Sequence, residues 1–225
     1  IKNSNFQLSY THRPLRLDYS GAIYHFVDFF LSNKGLVRFR NYGAGGRVTY
    51  PLSRFRRISL GANFFNVNEE YMEVVRDGRE LHTVMPSLSY TFDNTILGYF
   101  GPADGTRWNA TLTASPSYWE NGSEFLSLSL DYRHYFLLGR DYTIAVRATG
   151  GASFGKDPQR YVLGGLSNWI NYRFKQRIPI NNIEDLFFSS YITPLRGSDY
   201  YEQYGSRFFL TNFEFRFPFI DYLLM

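Results

Sequence analysis

Residues 205–219 read Gly-Ser-Arg-Phe-Phe-Leu-Thr-Asn-Phe-Glu-Phe-Arg-Phe-Pro-Phe. From Asn212 to Phe217 polar and apolar side chains alternate, which is typical of a β-strand with two unlike faces. A soluble sandwich seldom sets bare phenylalanines against a charged face, whereas a strand of a membrane β-barrel has lipid on one side and a polar lumen on the other. The pattern therefore predicts two sets of residues. Those facing lipid are Phe209, Phe213, Phe215 and Phe217, and those facing the lumen are Asn212, Glu214 and Arg216.

The same alternation recurs along most of the chain and defines about nine strand-like segments. We expect them to form one all-β domain, an antiparallel transmembrane β-barrel. The glycine-rich stretch 43–46 predicts a bend inside one of the strands. In the other segments the predicted lipid-facing residues are Leu126, Leu128 and Leu130. The predicted lumen-facing residues are Asp131, Arg133, Arg147, Arg38 and Arg40.

The composition favours the same class of protein. Of the 225 residues 20% are aromatic, with 19 Tyr and 22 Phe, as expected where aromatic girdles flank a lipid-facing band. No run approaches the roughly 18 apolar residues of a membrane helix, and the mean hydropathy is −0.31. The formal net charge is +4, but the arginines are dispersed along the strands, so nucleic-acid binding is not predicted. The absence of cysteine excludes disulfides and thiolate metal sites.

Neither an active site nor a cofactor site is predicted. Residues 151–155 spell Gly-x-Ser-x-Gly, which forms a nucleophile elbow only at a strand-to-helix turn with a histidine later in the chain. All four histidines precede Ser153, and they lack the spacing of paired metal ligands. We therefore expect a protein that is not an enzyme and that carries no cofactor.

Two further motifs resemble a known family. Leu195-Arg196-Gly197, followed by the strand Asn-Phe-Glu-Phe-Arg-Phe-Pro, is similar to the core signature of the BamA-like superfamily. That superfamily comprises outer-membrane assembly factors, two-partner secretion transporters and bacterial surface antigens. In its members a long extracellular loop carries an Arg-Gly-aromatic tripeptide and folds back into the barrel, and here Ser198 stands in the aromatic position. Gly164 and Gly165 resemble the start of the same loop.

The resemblance implies a barrel of about sixteen strands, of which this chain would supply roughly nine. Residues 1–225 would then be part of one outer-membrane β-barrel domain, with strands missing at both ends, and residues 156–206 would be its long infolding extracellular loop. Arg196 would enter the lumen and pair with an acidic residue on a later strand. The implied location is the bacterial outer membrane. The implied partners are outer-membrane lipid, client proteins and subunits of an envelope complex.

The function that the resemblance implies is the insertion or translocation of proteins at the outer membrane. Two other functions stay open. One is a passive porin-like channel or a structural barrel subunit of a larger envelope complex, and the other is a soluble β-sandwich that binds lipid. Residues 19–30 and 163–171 also resemble barrels that some envelope proteins carry behind a TolB-like propeller, and membership of that subfamily would weaken the assembly function.

Overall fold

The computed structural model describes residues 4–13, 16–32, 35–72, 78–98, 101–118, 120–139, 142–165, 188–192, 195, 198–199 and 202–217. Within these ranges every regular element is a β-strand. The strands are β1 (Phe6–His12), β2 (Asp18–Ser32), β3 (Gly35–Pro51), β4 (Arg56–Tyr71), β5 (Glu80–Asp93), β6 (Ile96–Gly98), β7 (Gly101–Ser115), β8 (Phe125–Leu137), β9 (Thr143–Phe154), β10 (Tyr161–Leu163), β11 (Ser190–Ile192), β12 (Gln203–Gly205) and β13 (Arg207–Arg216). No helix in the described part of the chain is long and apolar enough to cross a membrane.

Nine of these strands follow one another in a single antiparallel sheet, in the order β1-β2-β3-β4-β5-β7-β8-β9-β13, and β6 pairs with β7 beside this path. Each of these nine strands pairs with the one before it in the order, and only the short strands β6 and β10–β12 lie outside this sequence of pairings. Strands β10, β11 and β12 form a small separate sheet. Among the described residues, no pairing between β1 and β13 closes the large sheet into a ring. The predicted fold class, an incomplete all-β antiparallel barrel with about nine strands, is confirmed.

The register divides the sheet into two unlike faces. One face carries a row of apolar side chains that lie directly opposite one another on five adjacent strands and are 39–60% exposed. We call this side the apolar face and the opposite side the polar face. The apolar row consists of Val48, Leu60, Leu88, Leu112 and Leu128. The adjacent row on the polar face consists of Ser59, Ser89, Thr111 and Ser129.

The two ends of the sheet also differ. A tight turn at residues 52–55 joins β3 to β4, and at the same end the Leu138 nitrogen donates to the Tyr142 backbone oxygen at 2.7 Å where β8 connects to β9. We call this end of the sheet the turn end. At the opposite end, which we call the loop end, longer connections lead from β4 to β5, from β7 to β8 and from β9 to β13, but β2 and β3 are separated there by only two residues. Apart from the connection between β2 and β3, this arrangement matches outer-membrane barrels, which have short periplasmic turns on one side and longer extracellular loops on the other.

Where it is described, segment 156–206 folds back onto the polar face near the loop end. Phe188 is 5% exposed and packs with Val37, Phe39, Val67 and Leu81, which belong to β3, β4 and β5. Aromatic and aliphatic side chains that bury one another in this way supply most of the favourable free energy of folding. The segment is therefore attached to the sheet through a small hydrophobic core.

A second contact attaches the same segment to β8. The Tyr161 hydroxyl lies 2.6 Å from Ser127 Oγ, and Tyr161 is 2% exposed. Burial raises the pKa of the Tyr161 phenol further above neutral pH. Gln159 Nε2 donates to the backbone oxygen of Phe188 at 2.9 Å, which links the two contacts. Residues 166–187 and several shorter stretches lie outside the described residues, so the loop bounds 156–206 stay a prediction.

The glycine-rich stretch 43–46, for which a bend is predicted, does not interrupt strand β3. Strand β3 runs through this stretch with an unbroken register to β4. A Cβ on Gly43 would come within 2.7 Å of the Tyr24 hydroxyl, and a Cβ on Gly45 would overlap the Asn63 side chain. The glycines therefore make room for the Phe64 backbone oxygen and for the Tyr24 and Asn63 side chains.

Arg38 and Arg40 do not share a face with the other predicted lumen-facing residues. In the register of β3 they lie on the same side as Val48, which belongs to the apolar face. The apolar residues that alternate with these arginines are buried on the polar face beneath Phe188. A period of two shows that successive residues face opposite sides, but it does not show which side is which. Arg38 and Arg40 therefore lie on the opposite side of the sheet from Asp131, Arg133 and Arg147, and which of the two sides faces a lumen stays a prediction.

Candidate functional site: a charged belt on the polar face

Charged side chains concentrate on the polar face near the turn end. Side chains that are directly opposite on paired strands share a face, and the register places Arg107, Arg133, Arg147 and Asn212 in one row across β7, β8, β9 and β13. Further charged residues lie in this row and in the rows beside it. We call the whole group the charged belt. It consists of Arg57, Asp93, Arg107, Asp131, Arg133, Arg147, Asn212, Glu214 and Arg216.

Asp131 is the centre of the belt. Arg133 Nε donates to Asp131 Oδ1 at 2.6 Å, and Arg147 Nε donates to Asp131 Oδ2 at 2.8 Å. Two guanidinium groups thus share one carboxylate, and the three side chains are only 17–39% exposed. Charge-assisted hydrogen bonds are roughly twice as strong as neutral ones. Asp131 therefore holds β8 and β9 together on the polar face.

Arg216 joins β13 to a distant part of the sheet. Its Nε and Nη2 donate to Glu214 Oε2 at 3.2 and 2.9 Å. Its Nη1 donates to the backbone oxygen of Pro102 at 3.2 Å, and its guanidinium lies over the Tyr135 ring at 5.5 Å from the centroid. Pro102 is near the start of β7, which is separated from β13 by β8 and β9. The contact therefore crosses two strands and braces the turn end of the polar face.

The belt lines a cleft with an excess of positive charge. Arginines outnumber carboxylates in the belt, and Arg107 Nε faces Asp93 Oδ2 at 3.5 Å. A concave surface lined by one predominant sign of charge concentrates ions of the opposite sign. Among the described residues, no three His, Asp or Glu side chains are grouped so that they could hold a metal ion. The cleft is suited to water and small anions. Its walls are Arg133, Tyr135, Ala145, Arg147, Asn212, Glu214 and Arg216.

The structure brings six of the predicted lumen-facing residues together in this belt. They are Asp131, Arg133, Arg147, Asn212, Glu214 and Arg216. The predicted lipid-facing residues are 47–75% exposed, and those within strands lie on the apolar face. They are Phe209, Phe213, Phe215, Phe217, Leu126, Leu128 and Leu130. That the polar face lines a lumen and the apolar face meets lipid stays a prediction.

The predicted loop motif is described only in part. The Leu195 backbone nitrogen donates to the oxygen of Gly165 at 3.1 Å, and the Gly165 nitrogen donates to the oxygen of Ser198 at 3.1 Å. Gly164 and Gly165 are buried. The start and the end of the motif are therefore in contact. Arg196 and Gly197 lie outside the described residues.

The sequence interpretation missed three members of the belt, namely Arg57, Asp93 and Arg107. A signal was present for Arg107, because it precedes Trp108 and so must face the side opposite to that aromatic residue. No sequence pattern could predict the contact between Arg216 and Pro102, since the acceptor is a backbone oxygen 114 positions away along the chain.

Replacing Asp131 with Asn should destabilise the folded protein. The amide keeps the size of the carboxylate but removes the charge that two arginines share, so both guanidinium groups lose their ion pair with Asp131. We expect a loss of about 1–3 kcal/mol in the free energy of unfolding. Urea titration of the protein in lipid vesicles measures this loss. Glu124→Gln, which neutralises an exposed carboxylate outside the belt, is the control. Equal midpoints for the two variants would contradict the role of Asp131.

Comparison with known proteins identifies the fold. No protein-family model and no curated protein sequence matches the chain. Among solved structures, the chain is similar to BamA from Haemophilus ducreyi lacking POTRA domains 1–3, with a TM-score of 0.56 and 18% sequence identity. The match covers 72% of this chain and 36% of that chain, so this chain spans about a third of the length of that protein. At this identity the similarity shows the fold alone, which is an antiparallel transmembrane β-barrel of the BamA type.

Proposed function

We propose that this chain is part of a bacterial outer-membrane β-barrel that works in protein insertion or translocation at that membrane. The membrane location rests on one observation, the row of exposed apolar side chains in register across β3, β4, β5, β7 and β8. Monomeric soluble proteins rarely leave so continuous an apolar surface uncovered. Lipid would cover this surface along its whole length.

Aromatic side chains beside this row support the same location. Tyr90 and Trp108 lie on the apolar face towards the turn end, and their rings stack with centroids 5.0 Å apart. Tyr50 and Tyr132 also lie on the turn-end side of the row and are 44% and 39% exposed. Tyr and Trp concentrate at membrane–water interfaces. The turn end would then meet the periplasmic interface, and the loop end would face the exterior.

The insertion or translocation role is supported by the resemblance of Leu195-Arg196-Gly197 to the BamA-like signature and by the likeness of the fold to BamA. Phe188 and Tyr161 attach segment 156–206 to the polar face. A loop held in this way would stiffen the barrel or gate its pore, and Arg196 would extend the attachment into the lumen.

The native protein, purified from membranes and reconstituted in vesicles, allows a direct test. We expect Arg196→Ala to lower the rate at which an unfolded outer-membrane barrel is inserted into the vesicles by about tenfold, because the loop would lose a charge-assisted contact. Arg56→Ala, which changes an exposed arginine at the turn end, is the matched control. If Arg196→Ala leaves insertion unchanged but alters ion conductance, the insertion role is wrong and a passive channel is favoured.

A passive porin-like channel is the second candidate function, and the positive excess of the charged belt favours it. Rings of arginine in a pore bias conduction towards anions. The reversal potential across a bilayer with a KCl gradient would then have the sign of chloride selectivity. A barrel that neither conducts nor inserts clients would instead be a structural subunit of a larger envelope complex. A monodisperse monomer in the absence of detergent would contradict every barrel function and favour a soluble lipid-binding sandwich.

A further inference from the structure

The apolar face of β1–β5 contains a groove with a floor of small residues. Gly21, Gly46 and Ala62 lie directly opposite one another on β2, β3 and β4, and Ala44 lies in the next row towards the loop end. In the row on the turn-end side of the groove the same strands carry larger side chains, such as Val48 and Leu60. The sides of the groove are formed by Leu8, Tyr10, Ile23, Phe64 and Val84.

The dimensions of the groove suit a hydrocarbon chain. Neighbouring strands are about 4.8 Å apart, so a floor that spans three strands has room for a chain lying along them. The sides are apolar, and Leu8 and Tyr10 project from β1 with 65% and 61% of their surface exposed. The groove lies on the face that carries the exposed apolar row, so lipid would be the molecule next to it if the proposed membrane location holds.

Polar groups lie on the same face, beyond the groove towards the loop end. Arg38 is paired with Glu70, and Asn66 Nδ2 donates to Glu80 at 3.1 Å and to His82 at 2.6 Å. The carboxylates in this group are thus engaged by other side chains. His25 also lies on this face, where its Nδ1 contacts the backbone oxygen of Ser4 at 2.8 Å.

Arg40 is the least neutralised cation of this group. Among the described residues, the nearest carboxylate oxygen is on Glu70, 4.0 Å from Arg40 Nη2. The Arg40 Nε is buried without a hydrogen-bond partner. Arginine binds phosphate oxygens readily because its planar guanidinium matches their geometry. The Arg40 side chain is 25% exposed, so its outer guanidinium nitrogens can donate to a phosphate, whereas the buried Nε cannot reach one.

The spacing of the two features matches one lipid. Arg40 precedes Gly46 by about six residues, or roughly 20 Å along an extended strand. With a strand tilt of about 40° this corresponds to roughly 15 Å along the membrane normal. Half of the hydrocarbon core of a bilayer is also about 15 Å thick. A headgroup at Arg40 would therefore place an acyl chain in the groove within the same leaflet.

We propose that the apolar face of β1–β5 binds one phosphate-bearing membrane lipid, with its acyl chain in the groove at Gly46 and its phosphate at Arg40. This inference rests on the proposed membrane location of the barrel. It goes further, because a lipid that only surrounds a barrel needs neither the groove nor the arginine.

Native mass spectrometry of the protein, purified from membranes in detergent, tests the site. The probes are dioleoylphosphatidylglycerol and dioleoylglycerol, which share their acyl chains but differ in the phosphate. Gly46→Leu fills the groove, and a Cβ at this position meets no atom closer than 3.8 Å. Arg40→Gln removes the charge. We expect each variant to weaken binding of the phospholipid by about tenfold, and we expect dioleoylglycerol to bind about as weakly to the wild-type protein.

Ala148→Leu, on the apolar face of β9, and Arg56→Gln, at the turn end, are the matched controls and should bind the phospholipid as the wild-type protein does. Equal binding by all variants would overturn the site and indicate surrounding lipid only. Equal binding of the two probes to the wild-type protein would overturn the role of the phosphate. A dimer that Gly46→Leu abolishes would overturn the proposal in favour of a second copy of the chain.

Two checks keep these outcomes distinct from the proposed function. Heat-dependent migration in gels shows whether each variant is folded. If Gly46→Leu does not fold, Gly21→Leu is the second groove variant, since a Cβ on Gly21 meets no atom closer than 3.6 Å. A protein that fails to insert into vesicles would contradict the membrane location itself. A protein that inserts normally but binds the lipid equally in every variant would contradict only the lipid site.

Discussion

Leu128→Arg is expected to destabilise the membrane-embedded protein by about 2–4 kcal/mol, the cost of a cation at the lipid face of a barrel near the bilayer midplane. Leu128 is 54% exposed on the apolar face and lies between Leu112 and Ala152 in the register. A charge at this position would have to leave water when the strand enters the hydrocarbon. Urea titration in vesicles, followed by heat-dependent migration in gels, measures the loss.

The adjacent position provides the control. Ser129 belongs to the polar face, so the arginine of Ser129→Arg would point into the lumen. The loss of stability should therefore be much smaller than for Leu128→Arg. The comparison tests the orientation of the sheet directly, because the two variants differ by one residue and by which face carries the charge. Losses of equal size would contradict the assignment of the apolar face to lipid.

Phe188→Ala is expected to remove about 3–5 kcal/mol from the attachment of segment 156–206 to the sheet, as for other large-to-small changes in a core. Phe188 is 5% exposed and fills the cluster formed by Val37, Phe39, Val67 and Leu81. The truncation would leave a cavity between the segment and the polar face. Faster hydrogen exchange and faster proteolysis of residues 156–206 in the native protein would report the loss.

Phe154→Ala is the control for this prediction, because Phe154 is 49% exposed on the apolar face and lies outside the cluster. The strands of the large sheet should keep their protection in both variants, since Phe188 contributes no pairing to that sheet. Unchanged protection of residues 156–206 in Phe188→Ala would show that this cluster does not hold the segment.

The fold could be predicted in large part from local pattern. The alternation around Phe213, Glu214 and Phe215 recurs in the other long strands, and the strands it predicts are those of the large sheet. The pattern can be detected because adjacent side chains of a strand face opposite sides. A strand that lies between two unlike environments therefore has a period of two in its sequence. The same pattern predicted that Asp131, Arg133 and Arg147 share one side, as the register shows.

Only part of the charged belt could be found in this way. Each of its strands carries its own alternation, but a belt exists only when registers on several strands bring the charges into adjacent rows. The pairing of Asp131 with Arg147 depends on the register of β8 and β9, and the contact of Arg216 with Pro102 depends on four strands. Such contacts have no signature in either segment alone.

By itself, therefore, the sequence determined the all-β class, the strands of the large sheet and the existence of two unlike faces, because these properties follow from local periodicity. Only the tertiary structure decided which face each alternating set occupies. Arg38 and Arg40 lie on the apolar face because burial of their apolar neighbours beneath Phe188 sets the orientation of β3 at the loop end. That burial depends on a residue about 150 positions along the chain, and local periodicity carries no information about so distant a contact.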